Sequence, residues 1–272
     1  MRIGPRAAFV FCAGLALAIG FAPQASATSL TQFFGGQGCI VGPSSRAAAL
    51  ASGFDAAAID ALVETARADP KTIRRDDGTM LPPGSCTIAP PAVTNAIKPN
   101  DPEVLSNARF REAEGPDGTA GCFLDGERLQ QTVQATRGWD RERAFLEYIR
   151  LLGAGLVSGE IAFYSSDILK TPIGLQLTAG DCANTALISE IRRSHAVLIK
   201  FFDQLVRENA ATNPCSDGGM SIPASAETAA RLSGEPVNAW IGFEIDLIGR
   251  SAGWYEGMSL RSRGRPRPPL CH

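Results

Sequence analysis

The apolar positions of this chain fall mostly into helical periods. Phe145, Tyr148, Ile149, Leu152 and Leu156 recur at spacings of three and four, a single stripe on a helix that Asp140 can cap. A shorter helix, opened by Asp125 or Gly126, is predicted to run to about Arg137. Between 183 and about 211, Leu187, Ile191, Leu198, Phe202 and Leu205 share a face while Arg192, Arg193 and Lys200 point elsewhere. That pattern predicts one long helix capped by Asp181, roughly 43 Å at 1.5 Å per residue. Residues 224–232 form another candidate. The segment 237–248 fits both periods: Ile241, Phe243, Ile245 and Leu247 alternate like a strand, while Trp240, Phe243 and Leu247 fit a helix. It is assigned to helix because other strand signals are few.

Nearer the N-terminus, Ser44 or Ser45 can cap a short helix that Gly53 ends. Asp55 can cap a second, reaching about Ala68, with Ile59, Leu62, Val63 and Ala66 on one face. The order Ala49, Gly53, Ile59 is that of a helix-turn-helix. The second helix, however, carries Asp55, Asp60 and Glu64 where phosphate contacts would want Lys or Arg, so a bare helix pair is expected and no nucleic-acid partner. From 69 to 102 the chain is punctuated by Pro70, Pro82, Pro83, Pro90, Pro91, Pro99 and Pro102, which forbids long helix and central strand alike. It reads as a linker, or as a belt across the larger domain. The expected fold class is therefore mainly α. A small helix-pair module at 39–86 and a proline-rich connector at 87–121 precede an irregular, disulfide-bearing helical domain at 122–260, and a basic Pro/Arg tail closes the chain at 261–272.

The first residues change the cellular picture. Arg2 and Arg6, an apolar run over 7–22 and the small residues Ala25, Ser26 and Ala27 follow the order of a secretory signal peptide, 1–27. The run is shorter than the roughly 20 residues a bilayer-spanning helix needs, so no transmembrane anchor is expected after cleavage. Six cysteines then remain, an even set that points to disulfides in the periplasm or beyond the cell. Cys39 and Cys86 bracket their own module and are expected to pair. Cys182 and Cys215 flank the predicted long helix, too far apart for the 4.4–6.8 Å that a bridge allows, roughly, between Cα atoms. The shorter excursions then favour Cys122 with Cys182 and Cys215 with Cys271. No CxxC or close Cys/His spacing occurs, so neither a metal nor a cofactor is expected.

With 44% hydrophobic and 20% charged residues, the chain can build a sizeable core. It has 26 Lys and Arg against 28 Asp and Glu; loss of Arg2 and Arg6 leaves 24 against 28, a formal −4 without bulk attraction to nucleic acid. Arg261, Arg263, Arg265 and Arg267, interleaved with glycine and proline, read as a solvated extended tail.

Candidate chemistry is sparse. Of two histidines, His272 is the last residue, so any Ser-His-Asp or Cys-His system would rest on His195, which reads more simply as a packed helix histidine. Neither GxSxG nor GxGxxG is present. Glu160 is the nominee for a general acid, because Leu156, Val157, Ile161 and Phe163 could desolvate it, with Asp167 or Asp181 as the second carboxylate that glycoside cleavage requires. A helix-end cap or salt bridge is its plainer role. Trp254 and Tyr255, between Gly253 and Gly257, are candidates for an exposed binding face. These residues lead to an exported cell-envelope binding or accessory protein, its partner an envelope protein or peptidoglycan. A hydrolase of an envelope polysaccharide such as peptidoglycan is the competing reading.

Overall fold

The computed structural model describes residues 29–111, 120–215 and 222–272; the expected leader at 1–27 lies outside them. The described residues are about 49% helical and 13% strand, with ten helices and three small sheets among them, so the fold is mixed α/β and not mainly α. The strands are two to five residues long, too short for alternation to stand out from the turns around them.

The N-terminal module follows its capping residues except at its second helix, whose N-cap is Gly42 and not Ser44 or Ser45. Ser29 caps α1 (Leu30–Gly35), and β1 (Ile40–Val41) leads into α2 (Pro43–Ala51). Ser45 lies inside α2, where its hydroxyl accepts the Gly42 N–H and donates to the Ile40 carbonyl. Gly53 follows at φ +87°, and the Asp55 carboxylate accepts the Ala58 N–H to start α3 (Ala56–Arg67). The chain then forms a β2 (Ile73–Arg75) and β3 (Gly78–Met80) hairpin, giving an antiparallel sheet in the order β1-β3-β2 that the helix-pair reading lacked.

Residues 81–101 cross the rest of the protein as a belt. Arg207 donates to the Leu81 and Cys86 carbonyls at 3.0 and 2.9 Å, and Asp203 accepts the Ile88 N–H at 2.7 Å. Further along, Glu147 accepts the Ala96 N–H and Arg137 donates to the Ala96 carbonyl. Arg137 also pairs with Asp101 and Glu103, and that guanidinium holds the Glu103 carboxyl down to about 2. A proline-rich chain has few amide donors for a ladder, so side chains of the main body satisfy its backbone instead.

Next come α4 (Pro102–Ser106), β4 (Ala108–Arg111), β5 (Gly121–Leu124), α5 (Gly126–Arg137) and α6 (Arg141–Ser158), the last two capped by Asp125 and Asp140. β6 (Ile161–Ala162) and β7 (Gln176–Leu177) complete an antiparallel sheet ordered β4-β5-β7-β6. The predicted long helix is three pieces. A 3-10 turn at Gly180–Asn184 is followed by α7 (Ile188–Lys200), and the chain breaks at Phe201 (φ −110°, ψ 21°) before α8 (Phe202–Thr212). The adjacent rings Phe201 and Phe202 cannot share one stripe; the break lets Phe202 enter the core while Phe201 stays half-buried. The break removes the premise that kept Cys182 and Cys215 apart, although the bridges are Cys39–Cys86, Cys122–Cys182 and Cys215–Cys271, with Cα atoms 5.9, 5.6 and 4.9 Å apart.

The C-terminal part is α9 (Ile222–Ser233), α10 (Ile241–Ser251) and a hairpin of β8 (Tyr255–Ser259) and β9 (Ser262–Pro266). The expected solvated tail is thus a correction: Arg263 and Arg265 sit on β9, and Arg267, Leu270 and Cys271 are buried. The end of the chain packs on the N-terminal module so closely that a Cβ on Gly78 would meet the Pro268 carbonyl at 2.2 Å. One apolar cluster runs without interruption from Phe34 to Leu270. At its centre α6 crosses α10, and Gly153 permits the approach, since a Cβ there would lie 1.7 Å from Ser251 Oγ. Among the described residues no helix is long and apolar enough to cross a membrane.

Candidate functional site

α10 is buried along nearly its whole length, yet it carries Glu244, Asp246 and Arg250. Buried charge is expensive unless paired, so each of the three needs a partner. Asp246 and Arg250 stand one turn apart and bond at 2.8 Å. The Arg250 guanidinium lies 4.4 Å over the Tyr255 ring and donates to the Arg263 carbonyl. Tyr255 donates its hydroxyl to Asp246 and accepts from the Asn213 amide at 3.2 Å. Burial, then the Asp246 charge, pushes the Tyr255 phenol above its ordinary range. The phenol therefore stays protonated and serves as a fixed donor.

This network divides two clefts. One, about 740 Å³, opens between the belt at 92–96, Leu146, Glu147 and Arg150 of α6, and Arg250, Tyr255 and Met258. The other, about 480 Å³, has Phe145, Ile149, Phe243 and Leu247 on its α6 and α10 walls and the hairpin, with Arg261 and Arg263, on its third side. Both volumes are those of small-molecule sites.

Glu244 faces a different neighbourhood. Its carboxylate accepts the Phe163 N–H at 2.9 Å. Burial pushes its carboxyl up to about 7, against the opposing pull of that amide and of Asn238. Asn238 in turn ties three elements, donating to the Phe163 carbonyl, accepting the Ser165 N–H and giving its own N–H to Ser194 Oγ. The space beside Glu244, lined by Tyr164, Ser194 and His195 among others, is about 10 Å³, room for one water at most. This cluster is a joint between α10, α7 and β6 rather than an opening for a substrate.

The residues nominated from sequence fall elsewhere. Glu160 is half-buried at the end of α6, its carboxylate accepting from Ser158 at 2.8 Å, while its N–H bonds Gly155 and its carbonyl takes the Thr178 N–H. It closes a helix. Asp167 folds its own turn, accepting the Leu169 N–H at 2.9 Å. Asp181 is exposed in the 3-10 turn and caps no helix by its side chain. His195 places Nε2 3.0 Å from the Val157 carbonyl, with its ring against Gly159. Trp254 is not exposed: it is 2% accessible and donates to the Gly36 carbonyl at 3.0 Å. Left-handed Gly253 (φ +73°) and Gly257 (φ +69°) flank the pair where the hairpin returns onto α10, and there Trp254 is buried while Tyr255 is half-buried and lines a cleft.

Glu244, Asp246 and Arg250 were missed. Their signal was three charges inside the apolar run 240–249 and its next residue, two of them at the i, i+4 spacing of a helical ion pair. Among the described residues no group of three His, Cys, Asp or Glu is placed to hold a metal ion. Compared with known proteins, the chain matches no family model, no curated protein and no solved structure.

Proposed function

We propose that this chain is an exported binding or accessory protein of the cell envelope, holding a small envelope component in the clefts on either side of Arg250. The carrying observation is that two clefts of about 740 and 480 Å³ meet at Arg250, which lines both and is held by the network, Tyr255 lining the first and Asp246 the second. Side chains locked by their own hydrogen bonds present a preformed surface and lose little freedom when a ligand arrives. The same groups are poorly suited to turnover: Asp246 is neutralised by Arg250, and the Tyr255 proton is held by burial. The three intramolecular disulfides agree with export to an oxidising compartment.

Native mass spectrometry of the protein recovered from exporting cells tests this. The expected result is a small-molecule adduct that Thr94→Trp, which fills the belt-side cleft from an exposed position, or substitution of Arg261 and Arg263 on the other side, displaces. Release of soluble fragments from purified sacculi by the wild-type chain and not by Glu160→Gln would overturn it in favour of the hydrolase.

A further inference from the structure

We propose that the hairpin-side cleft binds a single-chain amphiphile with a phosphate monoester head group. The inference deepens the binding reading and rests on it. Two halves of the cleft carry the argument. The first is apolar: Phe145 and Ile149 from α6 face Phe243 and Leu247 from α10, and Met258 and Leu260 continue the surface onto the hairpin. Leu260 is 43% exposed at the mouth, an apolar side chain left in water. Burying an alkyl chain against these side chains is favourable at roughly 25 cal/mol per Å² of apolar surface covered.

The second half is charged. Arg250 is already paired with Asp246 and contributes no net charge. Arg261 and Arg263, both exposed, hold no salt bridge among the described residues. Glu142, the nearby acid on α6, accepts the Leu260 N–H at 3.4 Å and lies outside the cleft lining. The lining therefore carries two uncompensated positive charges, and a phosphate monoester carries about −1.5 to −2 at neutral pH. Planar guanidinium groups take phosphate oxygens two at a time, which a lone ammonium cannot do. The position of these arginines is itself a product of the fold: β9 pairs Arg263 with Met258 across the hairpin, setting a cation beside the apolar floor. A volume of about 480 Å³ sits in the lower part of the range for small-molecule sites, which suits one chain.

The experiment is isothermal titration of the full, disulfide-bonded protein with dodecyl phosphate below its micelle concentration, beside inorganic phosphate and dodecyltrimethylammonium. The variants are the double R261A/R263A, whose sites are exposed, and Thr94→Trp in the other cleft. Dodecyl phosphate is expected to bind, about tenfold or more weakly to R261A/R263A, and equally to Thr94→Trp. Inorganic phosphate should bind about a hundredfold more weakly, for want of the chain, and the cation not at all. Equal binding of the cationic analogue, of inorganic phosphate, or of dodecyl phosphate to the arginine variant overturns the proposal. So does no binding. If dodecyl phosphate fails while the native adduct persists, or if Thr94→Trp alone abolishes binding, this inference falls and the binding reading survives; absence of both adduct and binding removes both.

Discussion

The indole N–H of Trp254 donates to the carbonyl of Gly36 at 3.0 Å, joining the turn after α10 to the end of the first helix across 218 residues of chain. The ring also lies 6.3 Å from that of Phe202 and fills the space beside Gly38 and Leu270. Trp254→Phe is expected to cost about 1–3 kcal/mol through the unpaired Gly36 carbonyl, and Trp254→Ala about 3–5 kcal/mol through the cavity. Urea midpoints measure both. A loss for Trp254→Phe as large as for Trp254→Ala would mean that the hydrogen bond, not the packing, holds the two ends together.

Glu244 predicts a pH dependence. Its folded-state value, raised to about 7 by burial, exceeds the ordinary 4.5. Below 4.5 the group is neutral in both states. Between 4.5 and 7 the unfolded chain ionises first and holds fewer protons than the folded one, so stability falls as pH rises, by about 3 kcal/mol in all, and levels off above 7. Glu244→Gln keeps an acceptor for the Phe163 N–H and removes the ionisation. Its advantage over wild type should therefore be small at pH 4, larger at pH 6 and constant above 7. Urea unfolding across that range decides it, and a pH-independent difference would show that Glu244 is ionised in neither state or equally in both.

What the chain's pattern revealed, and what it hid, follows from the range of the forces. Asp55, Asp125 and Asp140 announce their helices because an N-cap acts within three residues: each carboxylate accepts the amide three positions on. The belt was legible as proline spacing, but its anchors were not, since Arg207 and Arg137 reach it from 121 or 126 and 41 residues away. Two-residue strands such as β6 and β7 exist only because a distant strand lies alongside, β5 beside β7 and β7 beside β6, and periodicity carries no trace of that. The site was hidden for a related reason. Asp246 and Arg250 look like a surface ion pair until the hairpin folds over them, and the hairpin was read as a free tail because arginines alternating with glycine and proline resemble one. Glu160, by contrast, was given importance by apolar neighbours that turn out to face the core while its own carboxylate turns back to Ser158.

Gly153 marks the closest approach of α6 and α10. An alanine Cβ would stand 1.7 Å from Ser251 Oγ and 2.2 Å from its Cβ, and Ser251 is tethered by a 2.7 Å bond to the Ile248 carbonyl. Gly153→Ala is expected to destabilise by about 1–3 kcal/mol through overpacking. Ser251→Gly should restore much of that loss in the double variant, because it vacates the space the new methyl needs. Thermal unfolding of the four proteins checks the coupling; additive losses would mean that the helices separate by another route.

The Asp246–Arg250 pair separates the cost of breaking a buried charge pair from the worth of having it. Both side chains are at least nine-tenths buried, and Asp246 has a second bond from Tyr255. Asp246→Leu leaves a guanidinium in the interior, with the Arg263 carbonyl and the Tyr255 ring face as its remaining contacts, and should cost about 3–5 kcal/mol. Arg250→Met strands the carboxylate and should cost a similar amount, eased somewhat because the Tyr255 hydroxyl still donates to it. The double variant D246L/R250M removes both desolvated charges, and should be far more stable than either single one, within about 2 kcal/mol of wild type. If the double variant instead loses the sum of the single costs, the network is a structural keystone, worth more than the apolar packing that could replace it. The expected rescue would mean that the fold does not require these charges, and that their value lies in the fixed wall they present to the two clefts.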